Sequence, residues 1–148
     1  MSKPFKKQKI DKIAAIDAMG FILGSAMALE LKTGFVPIRK EERLPGMKKI
    51  STSFIDFSKK KKALEINQAS IKKNEKILIV DDWMETGSQI RAAIKLIQKQ
   101  KGKVIGISLF AAEKKEETKE LFDKYKIKAV GVFEGEELER IKKQIKRY

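Results

Sequence analysis

The run Ile77-Leu78-Ile79-Val80 constrains this chain more than any other stretch. It has no polar alternation and is mostly β-branched, which suits a strand covered on both faces, the ordinary condition of a central parallel strand. Directly after it come Asp81 and Asp82, then Trp83-Met84-Glu85 and the small, hydroxyl-rich turn Thr86-Gly87-Ser88. Ile90, Ala93, Ile94 and Ile97 then recur at helical spacing, so Lys76–Gln100 reads as strand, acidic pair, turn and helix. A helix N-terminus at the carboxyl end of a strand offers unpaired N–H groups and the positive end of a dipole to a phosphate. Ionised Asp81 and Asp82 only accept hydrogen bonds, so they suit sugar hydroxyls or a hydrated cation and not the phosphate itself. A ribose 5-phosphate group satisfies both halves.

The flanking chain repeats the α/β pattern. Residues 1–11 are polar and basic and read as a short tail. Lys12–Ile16 reads as a strand, Asp17-Ala18-Met19-Gly20 as a turn, and Phe21–Lys32 as a helix rich in small residues, stopped by Gly34 as C-cap. Phe35–Ile38 follows as a second strand, with Arg39 and Lys40 at its end. Beyond the central stretch, Lys103–Phe110 reads as a strand and Lys114–Tyr125 as a helix with Leu121, Phe122 and Tyr125 inward. Ile127–Phe133 is another strand, and Glu134–Arg147 a final helix carrying Leu138, Ile141 and Ile145. The expected fold class is α/β: one domain, a doubly wound parallel sheet of about five strands with helices on both faces.

Residues 41–63 break the pattern. They contain Pro45-Gly46, show no helical period, and run into the lysines Lys59–Lys62. Ile50–Phe57 and Ala63–Asn67 are placed to pair as an irregular hairpin. The segment is either a solvated linker or a lid, and its position between two strands whose carboxyl ends face one site favours the lid.

Composition narrows the chemistry. The 148-residue chain has 42% hydrophobic residues, enough for a core that buries roughly two-thirds of the unfolded surface. With no Cys and no His, a disulfide framework, a structural zinc site and His-based catalysis are excluded, so proton transfer falls to Asp, Glu, Lys or Tyr. No signal peptide or membrane span is readable, and the expectation is a cytoplasmic protein. The net charge of +14 admits nucleic-acid binding, but the basic residues are spread along the chain and Arg is scarce. A solvated Lys-rich surface, attractive to a polyanionic substrate, is favoured.

From about residue 10 to residue 110 the chain resembles the type I phosphoribosyltransferases, most closely the adenine phosphoribosyltransferases. ILIVDDWMETGSQ is similar to that family's motif for phosphoribosyl pyrophosphate (PRPP). IDAMGFILGSAMALELKTGFVPIRK is similar to its pyrophosphate-loop helix and following strand, and RKEERLPG and LEINQASI also have counterparts there. The resemblance implies that Asp81 and Asp82 bind the ribose 2′- and 3′-hydroxyls, directly or through the water shell of Mg²⁺. It implies that Glu85, Thr86, Gly87, Ser88 and Gln89 wrap the 5-phosphate. Asp17, Ala18, Met19 and Gly20 would form the pyrophosphate loop, helped by Arg39 and Lys40. The lid would bring Asp56-Phe57 near the place where the adenine enzymes carry a Glu-Tyr pair, making Asp56 a catalytic candidate. A homodimer is the family's usual state.

Four departures qualify the substrate. Met19 stands where the adenine enzymes have Arg, Ser88-Gln89 replaces Gly-Thr, and Glu85 replaces a small residue. The 6-oxopurine branch has at that last position an Asp that handles the purine ring proton, which makes Glu85 the second catalytic candidate. The N-terminal hood over the base is expected to be missing, since only about ten residues precede the first strand. Trp83 is placed either to stack on a base or to pack beneath the loop. The leading expectation is transfer of phosphoribose from PRPP to a purine. The alternatives are a 6-oxopurine or other acceptor, or a PRPP-sensing regulator that binds nucleic acid.

Overall fold

The structure, a computed structural model, describes all of residues 1–148 except 42, 43, 46, 47, 57, 138 and 141–148. Ten main elements build it: β1 (Lys12–Ile16), α1 (Met19–Leu31), β2 (Gly34–Lys40), β3 (Lys49–Ile55), β4 (Lys61–Asn67), β5 (Lys76–Met84), α2 (Ser88–Lys99), β6 (Lys103–Glu113), α3 (Glu116–Lys124) and β7 (Ile127–Phe133). They form one seven-stranded sheet in the order β3-β4-β2-β1-β5-β6-β7. The five strands from β2 to β7 run parallel, which is the expected doubly wound sheet. The hairpin β3–β4 extends it antiparallel from the end of β2, through Arg39↔Glu65 and Lys40↔Leu64.

The strand order reverses direction between β1 and β5. From β1 the chain moves outward one way through α1 to β2; from β5 it moves the other way through α2 and β6. With right-handed crossovers, that reversal puts the helices on opposite faces. One core layer gathers Ile13, Ala15, Met27, Ala28, Leu78 and Val80 beneath α1. The larger layer joins Ile77, Ile79, Ile107 and Leu109 to Ile90, Ile94 and Ile97 of α2 and Leu121 of α3. Alternate residues of β5 thus feed both layers, as the unbroken apolar run requires.

Several expectations change. Residues 1–11 do not behave as a tail: Lys3–Phe5 is a 3-10 helix, and Phe5 is fully buried in the layer under α1. A Cβ on Gly106 would lie 2.7 Å from the Phe5 ring, so β6 is glycine there to admit it. The left-handed cap of α1 is Lys32 (φ 52°), not Gly34, which opens β2. The predicted helix Glu134–Arg147 falls largely outside the described residues. Among the described residues no helix is long and apolar enough to cross a membrane.

Candidate active site

The carboxyl ends of β1 and β5, adjacent in the sheet, carry Asp17 and Asp81-Asp82. A crevice forms where a sheet's strand order reverses, and ligands of open α/β sheets bind there. Asp17 is buried and stitches the two neighbouring strand ends together. Its Oδ1 accepts from the Lys40 backbone N–H at 3.2 Å, and its Oδ2 lies 3.9 Å from Arg39 Nε. The Arg39 Nε is buried without a hydrogen-bond partner among the described residues. A half-exposed guanidinium whose Nε–H is enclosed but unsatisfied is suited to an anion.

The loop 17–20 is not uniform. Its Asp17–Ala18 peptide is cis. Ala18 and Met19 are exposed, Met19 by 53%, whereas Gly20 is buried against β5. A Cβ on Gly20 would lie 3.0 Å from Asp81 Oδ1 and 3.1 Å from the Val80 carbonyl oxygen. Gly20 therefore serves close approach of α1 to the strand end.

The two central carboxylates are also inequivalent. Asp81 is buried; its Oδ1 accepts the Asp82 backbone N–H at 2.9 Å and its Oδ2 accepts from Gln89 Nε2 at 3.0 Å. Burial, with the neighbouring Asp82 charge second, pushes its carboxyl up to about 8. Asp82 is only half-buried. Of the pair, Asp82 is the more accessible, and Asp81 presents almost no exposed surface. Gln89 likewise turns its amide to Asp81, away from a direct phosphate contact.

Beyond β5 the chain turns through residues 85–87 into α2. Gly87 adopts φ 75° at the N-cap, a conformation open to glycine at little cost. Thr86 Oγ1 donates to Ser88 Oγ at 3.1 Å, and the Ser88 N–H reaches back to Thr86 Oγ1 at 3.4 Å. A pocket of about 220 Å³ lies between this turn and the β3–β4 hairpin, with Lys40, Phe54, Asp56 and Lys62 on one wall and Trp83 to Ile90 on the other.

The two catalytic candidates separate here. Asp56 is occupied by its own hairpin. Its Oδ1 accepts from Ser58 N–H at 2.9 Å, Ser58 Oγ at 2.7 Å and Lys60 N–H at 3.0 Å, and its Oδ2 pairs with Lys62. The Lys62 and Ser58 contacts hold its carboxyl far below the usual carboxylate range, which unsuits it as a proton acceptor. In this structure Asp56 organises the hairpin turn; its neighbour Phe57 lies outside the described residues. Glu85 lines the same pocket and has no hydrogen-bond or ion-pair partner among the described residues. Trp83 stacks on Phe133, with ring centroids 5.8 Å apart and planes 18° from parallel, so one ring face is already covered.

Magnesium fits this donor set in one way only. Among the described residues no group of three or more Asp or Glu could cage a metal ion. Asp82, with Asp81 beneath it, offers the small number of carboxylate contacts used for a hydrated cation shared with substrate phosphates.

The sequence reading missed the role of Arg91. Its Nη1 donates to the Thr86 carbonyl at 2.9 Å and its Nη2 to the Glu117 carbonyl. The available signal was an Arg one turn beyond the phosphate turn in a chain whose cations are mainly Lys.

A hydroxyl-rich turn, an acidic pair and an arginine lie around the switch point of a doubly wound sheet, the place where open α/β proteins bind their ligands. The phosphoribosyl transferase domain family matches residues 2–139, and the chain belongs to it. It is 43% identical over 104 residues to an adenine phosphoribosyltransferase of Cereibacter sphaeroides, covering 70% of this chain and 57% of that protein. It is 40% identical over 108 residues to that of Natranaerobius thermophilus, covering 73% and 62%. The chain thus spans less than two-thirds of the length of these relatives. Among solved structures, the adenine phosphoribosyltransferase of Thermoanaerobacter pseudethanolicus superposes with a TM-score of 0.82 at 31% identity, over 89% of this chain and 76% of that one. The Giardia lamblia enzyme complexed with 9-deazaadenine also gives 0.82, at 26% identity, over 89% and 75%.

Proposed function

We propose that this protein is a Mg²⁺-dependent purine phosphoribosyltransferase, adenine-like, which transfers the 5-phosphoribosyl group of PRPP to a free base. The products are a nucleoside 5′-monophosphate and pyrophosphate, as in purine salvage. The observation that carries the reading is that the Asp17–Arg39 pair at the ends of β1 and β2 and the Asp81-Asp82 pair leading into the Thr86–Gln89 turn meet at one sheet reversal. The 5-phosphate would lie on the turn and the ribose hydroxyls on Asp82. The pyrophosphate would reach Arg39, whose orphan donor it satisfies, and Lys40. Bound Mg²⁺ supplies positive charge to the leaving pyrophosphate. Glu85 is the carboxylate placed to accept a ring proton from the incoming base.

We further infer one domain over 1–148 with residues 41–63, which include β3 and the start of β4, as the lid over the pocket. A homodimer and a cytoplasmic location complete the reading; a chain without Cys has no framework that needs an oxidising compartment. The unpartnered Glu85, with Met19 in the pyrophosphate loop, favours a second reading in which the acceptor is a 6-oxopurine or another base with an acidic ring N–H.

Incubation with PRPP, Mg²⁺ and a panel of nucleobases should release pyrophosphate with at least one of them. Asp82→Asn should abolish this while leaving the fold intact. Binding of PRPP without turnover on any base would sink the transferase reading, and the identity of the accepted base separates its two forms.

A further inference from the structure

We propose that Arg91 is a positioning residue that aims the phosphate turn, by fixing two consecutive peptide planes from outside the pocket. The Arg91 side chain takes the Thr86 carbonyl through Nη1 at 2.9 Å. The Arg91 backbone N–H takes the next carbonyl, that of Gly87, also at 2.9 Å. One residue thus holds both carbonyls that the turn directs away from the ligand side. In a trans peptide the C=O of one residue and the N–H of the next point in opposite directions. With the Thr86 carbonyl tied down on the Arg91 guanidinium, the Gly87 N–H points the other way; the Ser88 N–H, set by the Gly87 carbonyl's plane, reaches Thr86 Oγ1 at 3.4 Å. Successive N–H groups aimed into one concavity form an anion nest.

The guanidinium is itself anchored. Its Nη2 donates to the Glu117 carbonyl in the first turn of α3, so the turn is fastened to a second helix. Packing leaves it little alternative: a Cβ on Gly87 would lie 2.9 Å from Arg91 Nη1 and 2.5 Å from Leu121 Cδ1. The guanidinium thereby acts on the phosphate through the backbone and not as its ligand. Lys would not replace it, because a single ammonium lacks the planar fork that reaches two carbonyls on different elements.

The inference rests on the phosphate-binding part of the proposed function, and the test separates the two. Backbone ¹⁵N order parameters of ligand-free protein report the turn directly, and titration with ribose 5-phosphate reports its use. In the unmodified protein the Gly87 amide should show a rigid value of about 0.85, falling below about 0.6 in Arg91→Met, while the Ser88 amide, whose plane the Arg91 backbone N–H still holds, should change little. The ribose 5-phosphate dissociation constant should rise at least about tenfold in Arg91→Met and by an intermediate factor in Arg91→Lys. Lys95→Met, which removes a neighbouring charge in the same α2–α3 groove, should change neither. If Arg91→Met does not fold, Arg91→Lys carries the same comparison. An unchanged Gly87 order parameter overturns the positioning role, and weaker binding alongside it makes Arg91 a direct ligand. If the unmodified protein does not bind ribose 5-phosphate, the phosphate reading of the turn fails, while the order parameters still decide whether Arg91 holds it.

Discussion

Two adjacent aspartates at the end of β5 look interchangeable in sequence, yet the fold treats them differently. Asp82 is half-buried, whereas Asp81 is enclosed by Gly20, its neighbour's backbone and Gln89. Enclosure raises the Asp81 carboxyl to about 8, so in ligand-free protein it retains a proton that the unfolded chain has released above about 4. The folded state therefore binds more protons than the unfolded state between pH 4 and 8, and stability falls as pH rises through that window. Asp81→Asn keeps the uncharged shape and removes the titration. In metal-free protein the variant should gain on the unmodified chain as pH rises from 4 to 8, by up to about 1.4 kcal/mol per pH unit. Urea midpoints at several pH values measure this, and a difference that does not change with pH would show that Asp81 is ionised in the fold. No periodicity or motif could have revealed this, because the asymmetry comes from α1, an element distant in sequence, pressing Gly20 onto the strand end.

At the scale of elements, the parallel sheet was legible from its apolar runs, and the turn from β5 into α2 from a strand ending in acidic and hydroxyl residues. What was not legible had no period to read. Phe5 anchors the N-terminal segment through a single ring, matched only by the absence of a side chain at Gly106. Lys32 takes the left-handed position two residues before the glycine that would take it more easily. Asp56 gave the most instructive difference, since a carboxylate near an active site suggests chemistry until its partners are known. Here three donors from Ser58 and Lys60 converge on one oxygen, and Lys62 holds the other. Asp56→Asn keeps the Oδ1 acceptor, so turnover should stay within about threefold of the unmodified enzyme; a general base would lose on the order of a hundredfold or more. Asp56→Ala removes the acceptor, and trypsin should then cut more quickly among Lys59–Lys62. Loss of turnover in Asp56→Asn with an intact hairpin would return Asp56 to the chemistry.

For the whole molecule, the +14 charge and the surface of α1 pull in opposite directions. A helix on the outside of a domain normally turns a charged face to water. The only charged residue in α1 is Glu30, and its exposed side carries Met19, Ile22, Ala26 and Leu29 at steps of three and four. Ile22 is 65% exposed and Leu29 82%. Contiguous apolar surface of this kind marks an interaction site, and a second copy of the chain is the occupant expected here. Met19 belongs both to this stripe and to the loop 17–20 proposed to hold pyrophosphate, so association would close over the edge of the site. Two chains of charge +14 repel, and added salt screens that repulsion. Dimerisation followed by sedimentation should therefore strengthen between about 50 and 500 mM salt, while binding of the polyanionic PRPP should weaken over the same range. Ile22→Asp with Leu29→Asp should give a folded monomer. A monomer at all salt concentrations in the unmodified protein would refute the dimer, and a dimer that weakens with salt would move the interface from the apolar stripe to an ionic surface.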